Sequence, residues 1–170
     1  MPSLDINAVR RELLHLDLAV YAPLHGAVAG FVRHYGIDME AQVPGVRHYA
    51  GWFESPGYHI ATHVFMPEDA RGTVFILHGY LDHAGLYRHL IRDSLQKGFA
   101  VVVPDLPGHG RSDPWLGTED LHSVATRMAT ALADQIGGPL DLLGHSFGAT
   151  IALRLALERP DLVQRLILIE

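Results

Sequence analysis

The chain has 170 residues, 48% of them apolar, which is enough for one domain with a real core. Its 13 basic and 19 acidic residues are spread along the chain for a net charge of -6, leaving no basic stripe for nucleic acid, and the absence of cysteine excludes disulfides, thiolate metal sites and a cysteine nucleophile. Asp5, Arg10, Arg11, Glu12 and Asp17 interrupt any secretory pattern and no apolar run is long enough for stable membrane insertion, so an unprocessed cytoplasmic protein is expected.

Apolar residues at Ile6, Val9, Leu13, Leu16 and Val20 keep helical spacing, after which Pro23, Gly26, Gly30 and Gly36 make any second helix short or irregular. Residues 46–53 and 58–66 are rich in aromatic and β-branched side chains and flank Glu54-Ser55-Pro56-Gly57, which predicts a β-hairpin. A strict alternation follows: strand 73–77, helix 85–97, strand 99–103, helix 119–136, strand 140–143, helix 147–158 and strand 166–169. Thr118 is the expected N-cap of the long helix and Gly137-Gly138-Pro139 its stop. Alternating strands and helices imply a doubly wound, mainly parallel sheet, with 1–45 a helical segment packed on a core of 46–170. Ligands of such sheets bind beyond the carboxyl ends of the strands, which directs attention to three short stretches.

The first is Gly144-His145-Ser146-Phe147-Gly148, between a strand and a helix. A serine hydroxyl is a poor nucleophile unless held clear of its neighbours, near a base and near oxyanion donors. A sharp strand-to-helix turn meets those needs, with Gly144 and Gly148 lacking the β-carbons that would clash in it. Ser146 is therefore the expected nucleophile. The second stretch is His78-Gly79-Tyr80-Leu81-Asp82-His83, and the third is Asp105-Leu106-Pro107-Gly108-His109-Gly110-Arg111-Ser112.

Together these motifs resemble the α/β-hydrolase superfamily, and within it the lysophospholipase and monoglyceride-lipase-like branch, often labelled serine aminopeptidase S33. The resemblance covers residue 46 to the C-terminus. It implies an α/β-hydrolase fold and a serine hydrolase acting on a small-molecule or lipid-like carboxylic ester, with no cofactor and no metal. His78-Gly79-Tyr80 is similar to the family's first oxyanion segment, so the implied oxyanion donors are the backbone N–H groups of Tyr80 and Phe147. Asp82-His83-Ala84-Gly85-Leu86-Tyr87 is similar to the branch's Glu-His-Ser-Gly-Arg-Tyr stretch, and the Asp105 to Ser112 run resembles a structural loop of the family. His78, His83 and His109 read as hydrogen bonders that stabilise turns, His145 as packing beneath the site, and Ser55 and Ser112 as plain loop serines.

The family's triad runs Ser, then Asp or Glu, then His, yet only 22 residues follow Gly148 and none is a histidine. Glu170 stands where some relatives place the acid. The chain is accordingly expected to be the N-terminal part of such a fold, ending after the strand that reaches Glu170, and a poor catalyst by itself. Its last strand should lie at an unpaired apolar edge that invites aggregation or complementation. Two other readings stay open. One is a non-catalytic binding protein on the same scaffold. The other is a metallohydrolase of the metallo-β-lactamase type, because His78-x-Tyr80-x-Asp82-His83 departs at one position from that fold's ligand motif. The oligomeric state is not indicated.

Overall fold

The computed structural model describes residues 4–170. Helix α1 (Ile6–Glu12) starts at Asp5, whose carboxylate accepts the Ala8 N–H at 3.0 Å and so satisfies one of the orphan donors of the first turn. Helical spacing predicted a continuation toward Val20, but the helix stops at Glu12 and Val20 is 64% exposed. The cause is a stronger, non-local set of hydrogen bonds. Trp52 N donates to Leu14 O at 2.8 Å and Leu16 N to Trp52 O at 2.7 Å, so this segment lies along the edge of the first strand. Gly51 admits it, since a β-carbon there would stand 2.7 Å from Leu14 O.

Helix α2 (Gly26–Tyr35) is a regular ten-residue helix despite Gly30, and Gly36 ends it in the left-handed conformation (φ 66°). Helix α3 is Met39–Gln42. Strands β1 (Val46–Ser55) and β2 (Tyr58–Pro67) form the antiparallel hairpin, closed at Gly57 (φ 85°). Ser55, expected in a loop, is the buried last residue of β1. Next come β3 (Thr73–Leu77), a 3-10 turn at Ala84–Tyr87 running into α4 (Arg88–Gln96), β4 (Ala100–Pro104), α5 (Leu121–Ile136), β5 (Leu140–His145), α6 (Phe147–Glu158) and β6 (Val163–Ile169). The N-cap of α5 is Asp120 and not Thr118: its carboxylate accepts Ser123 N at 2.9 Å, the geometry that a residue two positions earlier cannot reach.

The sheet order is β1-β2-β4-β3-β5-β6, antiparallel across β1, β2 and β4 and parallel across β4, β3, β5 and β6. Side chains alternate between its faces with the period of two that a strand dictates. Phe75, Leu77 and Val102 meet α5 and α6 through Met128, Leu132 and Ile151, while Val74, Ile76 and Val101 meet α1, α2 and α4 through Val9, Phe31 and Ile91. Both faces are thus covered, as the continuous apolar strands require, and the carboxyl ends of β3, β4 and β5 share one rim. No helix among the described residues is long and apolar enough to cross a membrane.

Candidate active site

Strand β5 enters the elbow at Gly144 and α6 leaves it at Phe147, and the reversal falls on Ser146. Ser146 has φ 50° and ψ -115°, a left-handed backbone that is unusual for a side-chain-bearing residue and costs about 1–3 kcal/mol. Two backbone bonds hold it there, Ser146 N to Ile169 O at 2.8 Å and Ala149 N to Ser146 O at 2.9 Å. The crossing is close. A β-carbon on Gly144 would stand 2.6 Å from Ala149 Cα, and one on Gly148 would stand 2.6 Å from His78 O. Ser146 is exposed, and its hydroxyl makes no capping bond to the helix it precedes.

Beside the elbow lies the loop after β3. Tyr80 is 60% exposed and Leu81 adopts φ 64°, so this loop also turns through the left-handed region without a glycine. Neither Tyr80 N nor Phe147 N donates to a backbone carbonyl among the described residues, and Phe147 N opens the twelve-residue α6, where the helix dipole favours negative charge. The Tyr80, His109 and Phe147 rings gather at the rim, with centroids 5.2 Å apart for Tyr80 and His109 and 6.1 Å for Tyr80 and Phe147.

The histidines of the two loops are engaged in fixing backbone. His78 is fully buried. Its Nε2 accepts Leu106 N–H at 2.8 Å, so Nε2 carries no proton and Nδ1 donates to Gly79 O at 2.8 Å. Burial, outweighing the attraction of Asp105, brings its pKa down to about 4, and it ties the loop after β3 to the loop after β4. His83 Nδ1 accepts Gly85 N at 3.1 Å, and burial lowers its pKa as well. His109 Nδ1 meets Pro107 O at 2.9 Å. His145, expected beneath the site, stands partly exposed on the α4 side of the elbow with Nδ1 3.5 Å from Asp82 Oδ2 and 2.9 Å from Tyr87 Oη.

The loop after β4 is built around a buried ion pair. Asp105 accepts Ala84 N and Arg111 N at 2.8 Å each and Arg111 Nε at 2.7 Å. Arg111 Nη2 also lies 2.7 Å from the carboxylate, off the line of a hydrogen bond, so that contact is purely ionic. Burial alone would raise the Asp105 pKa, but the Arg111 charge, His78 and two backbone N–H groups hold it below the usual carboxylate range. Arg111 continues inward. Its Nη1 meets His63 Nε2, His63 Nδ1 meets His48 Nε2 at 2.7 Å, and its guanidinium lies 3.8 Å from the centroid of the Phe31 ring of α2. Because a guanidinium only donates, His63 must donate from Nδ1 to His48. Burial and the Arg111 charge keep both imidazoles neutral, His48 with its pKa lowered to about 3. Ser112, read from the sequence as a plain loop serine, is fully buried: its hydroxyl donates to Asp105 O at 2.6 Å and accepts Ala61 N at 2.9 Å. Among the described residues, no three His, Asp or Glu side chains converge as metal ligands.

An exposed serine on a strained β5-to-α6 turn, flanked at the neighbouring strand ends by loops of this construction, can be compared with known proteins. The sequence profile described as "alpha/beta hydrolase fold" matches residues 72–170. The chain belongs to the alpha/beta hydrolase family. Among relatives of this family, the lipase LipV of Mycobacterium tuberculosis is 35% identical over 97 residues, covering 57% of this chain and 36% of the lipase. A monoglyceride lipase homolog of monkeypox virus is 35% identical over 103 residues, 58% of this chain and 37% of the relative. Among solved structures, Cfl2 of Burkholderia cenocepacia superposes with a TM-score of 0.63 at 31% identity, covering 73% of this chain and 41% of that one. The chain therefore spans little more than a third of the length of these lipase relatives.

The expected residues Ser146, Tyr80, Phe147, His78, Gly79, Gly144 and Gly148 all lie at the rim of this alpha/beta hydrolase sheet, on the ends of β3 and β5. Sequence reasoning did not single out Tyr87, His48, His63 or Arg111. Tyr87 lay inside a stretch already noted, five residues from Asp82, whereas the His48 and His63 pairing depends on hairpin register, which puts His48 opposite Phe65 and leaves His63 diagonal to it.

Proposed function

We propose that this chain carries the nucleophile and oxyanion donors of a serine hydrolase that cleaves small or lipid-like carboxylic esters through an acyl-enzyme. Ser146 Oγ attacks the ester carbonyl carbon, giving up its proton to a general base. The carbonyl oxygen takes the negative charge and accepts the N–H groups of Tyr80 and Phe147. Collapse breaks the bond to the alkoxy oxygen, which leaves with that proton as the alcohol, and water then attacks the acyl carbon and releases the acid. In this fold the general base is a histidine that follows the nucleophile in sequence, and none of the twelve histidines of these 170 residues follows Ser146.

The observation that carries this reading is the left-handed backbone of an exposed Ser146, maintained between two close-packed glycines and beside two unengaged N–H groups. Strain of that kind persists where the surroundings impose it, and an exposed serine gains no fold stability from it. The lipases among its relatives agree with an ester substrate. Loss of the serine-histidine unit costs about 10⁶ in kcat, with about 10³ to 10⁴ over water retained by binding and the oxyanion hole. A fluorophosphonate should therefore label the 170-residue chain slowly, at Ser146 alone, with labelling abolished in Ser146→Ala. A longer form of the protein that adds an acid and a histidine should label orders of magnitude faster. If the longer form reacts no faster, the scaffold is a binding protein and not a catalyst.

A further inference from the structure

Tyr87 occupies the junction between the two halves of the site. Its hydroxyl accepts Gly79 N at 3.0 Å, donates to Asp82 Oδ2 at 2.8 Å and lies 2.9 Å from His145 Nδ1. A phenol has one proton and two lone pairs. The carboxylate of Asp82 takes the proton and Gly79 N–H takes one lone pair, so the contact with His145 is closed by Nδ1–H donating to the second. The hydroxyl is then fully used, and the tautomer of His145 follows from it. Gly79 leaves room for the junction: a β-carbon there would stand 2.9 Å from Asp82 Oδ2 and 3.0 Å from His145 Nδ1.

The three partners are not equivalent in sequence. Gly79 directly precedes Tyr80, and His145 directly precedes Ser146 and Phe147. We infer that Tyr87 is a positioning residue, whose hydroxyl ties the loop after β3 to the elbow and thereby sets the spacing between the Tyr80 and Phe147 N–H groups. The role rests on the acyl-enzyme reading of Ser146 and extends it to a group that touches neither substrate nor nucleophile. Without this tie the loop retains His78 Nδ1–H and Asp82 N–H on Gly79 O and Leu106 N–H on His78 Nε2; these fix the peptide plane that carries the Tyr80 N–H, but none of the three reaches the elbow. The anchor is itself stable. Tyr87 is only 8% exposed, and burial, reinforced by Asp82 against the opposing Gly79 bond, pushes its pKa above the ordinary tyrosine range, so it stays a neutral hydroxyl.

Tyr87→Phe in the 170-residue chain tests this, because it keeps the ring and removes only the hydroxyl. Fluorophosphonate labelling of Ser146 is followed as a function of reagent concentration, alongside amide hydrogen exchange at Gly79 and thermal unfolding. The limiting labelling rate is expected to fall roughly 10- to 100-fold, as misplacement of a reacting group by about an ångström does, with the half-saturating reagent concentration unchanged. Gly79 exchange should accelerate while the unfolding midpoint holds. Should Tyr87→Phe not fold, Asp82→Ala, which frees the hydroxyl to rotate, is expected to lower the limiting rate in the same direction by less. An unchanged limiting rate, or a change confined to half-saturation, overturns the positioning role while leaving Ser146 as nucleophile. A wild-type chain labelled no faster than Ser146→Ala overturns the acyl-enzyme reading, and the positioning role with it.

Discussion

Gly148 packs so tightly against the carbonyl of Leu77 that no side chain fits between α6 and the end of β3. This contact locks the elbow to the neighbouring strand, since β3 and β5 are already paired from Val74 to Leu77. Within a helix, glycine to alanine ordinarily gains about 1 kcal/mol. Here the added carbon displaces backbone.

Gly148→Ala is therefore expected to destabilise the fold by about 1–3 kcal/mol, the usual cost of overpacking. For a chain of this size that lowers the thermal midpoint by very roughly 2–12 °C. Calorimetry checks it, and an alanine variant as stable as wild type would show that the elbow can relax.

Arg111→Met removes the buried cation and leaves Asp105, which is fully buried, without its counter-charge. Breaking one side of a buried pair costs about 3–5 kcal/mol. Urea unfolding should register that loss, and adding Asp105→Asn should return part of it, a coupling that two independent sites would lack. Because Phe31 loses the guanidinium lying on its ring, amides of α2 should exchange faster in the same variant.

Acid should destabilise the protein well before its carboxylates titrate. His48, His63 and His78 are buried neutral, with folded pKa values below their ordinary one of about 6.5. Between those values the unfolded chain binds protons that the folded chain does not, so stability is fully present above about pH 6.5 and falls as pH drops toward the folded values. Each histidine contributes about 1.4 kcal/mol of loss per pH unit below 6.5, so the three together predict about 4 kcal/mol between pH 7.5 and 5.5. Asp105, with its depressed pKa, adds a loss of the same sign below about pH 3.9. Denaturant midpoints measured across pH 5 to 8 check the slope; a flat profile would mean these imidazoles titrate in the fold as they do in the unfolded chain.

The parallel half of the sheet was legible because its strands are continuously apolar and its helices periodic, and the elbow because glycine, serine and glycine stand at fixed offsets between the two. Where reading failed, distant groups outbid local ones. Leu13 and Leu16 keep helical spacing, yet the edge of β1 at Trp52 draws their backbone into an extended path. Ser112 looked like any loop serine, and only the fold brings Ala61 N to its hydroxyl, across 51 residues of sequence. The junction at Tyr87 combines a tyrosine with a histidine 58 residues away, a pairing no local pattern encodes.

The path of the N-terminal segment along β1 also bears on how molecules of this protein can meet. On that outer edge Trp52 has given both backbone groups to Leu14 and Leu16, and His48 N–H is taken by Glu40. The opposite edge, β6, presents Ile167, Leu168 and Ile169 at 48%, 47% and 38% exposure. A filament needs two adhesive edges per unit, one to add to and one to be added to. With Trp52 and His48 already taken, the β1 edge of this chain offers a strand of a second copy no free N–H at those two positions.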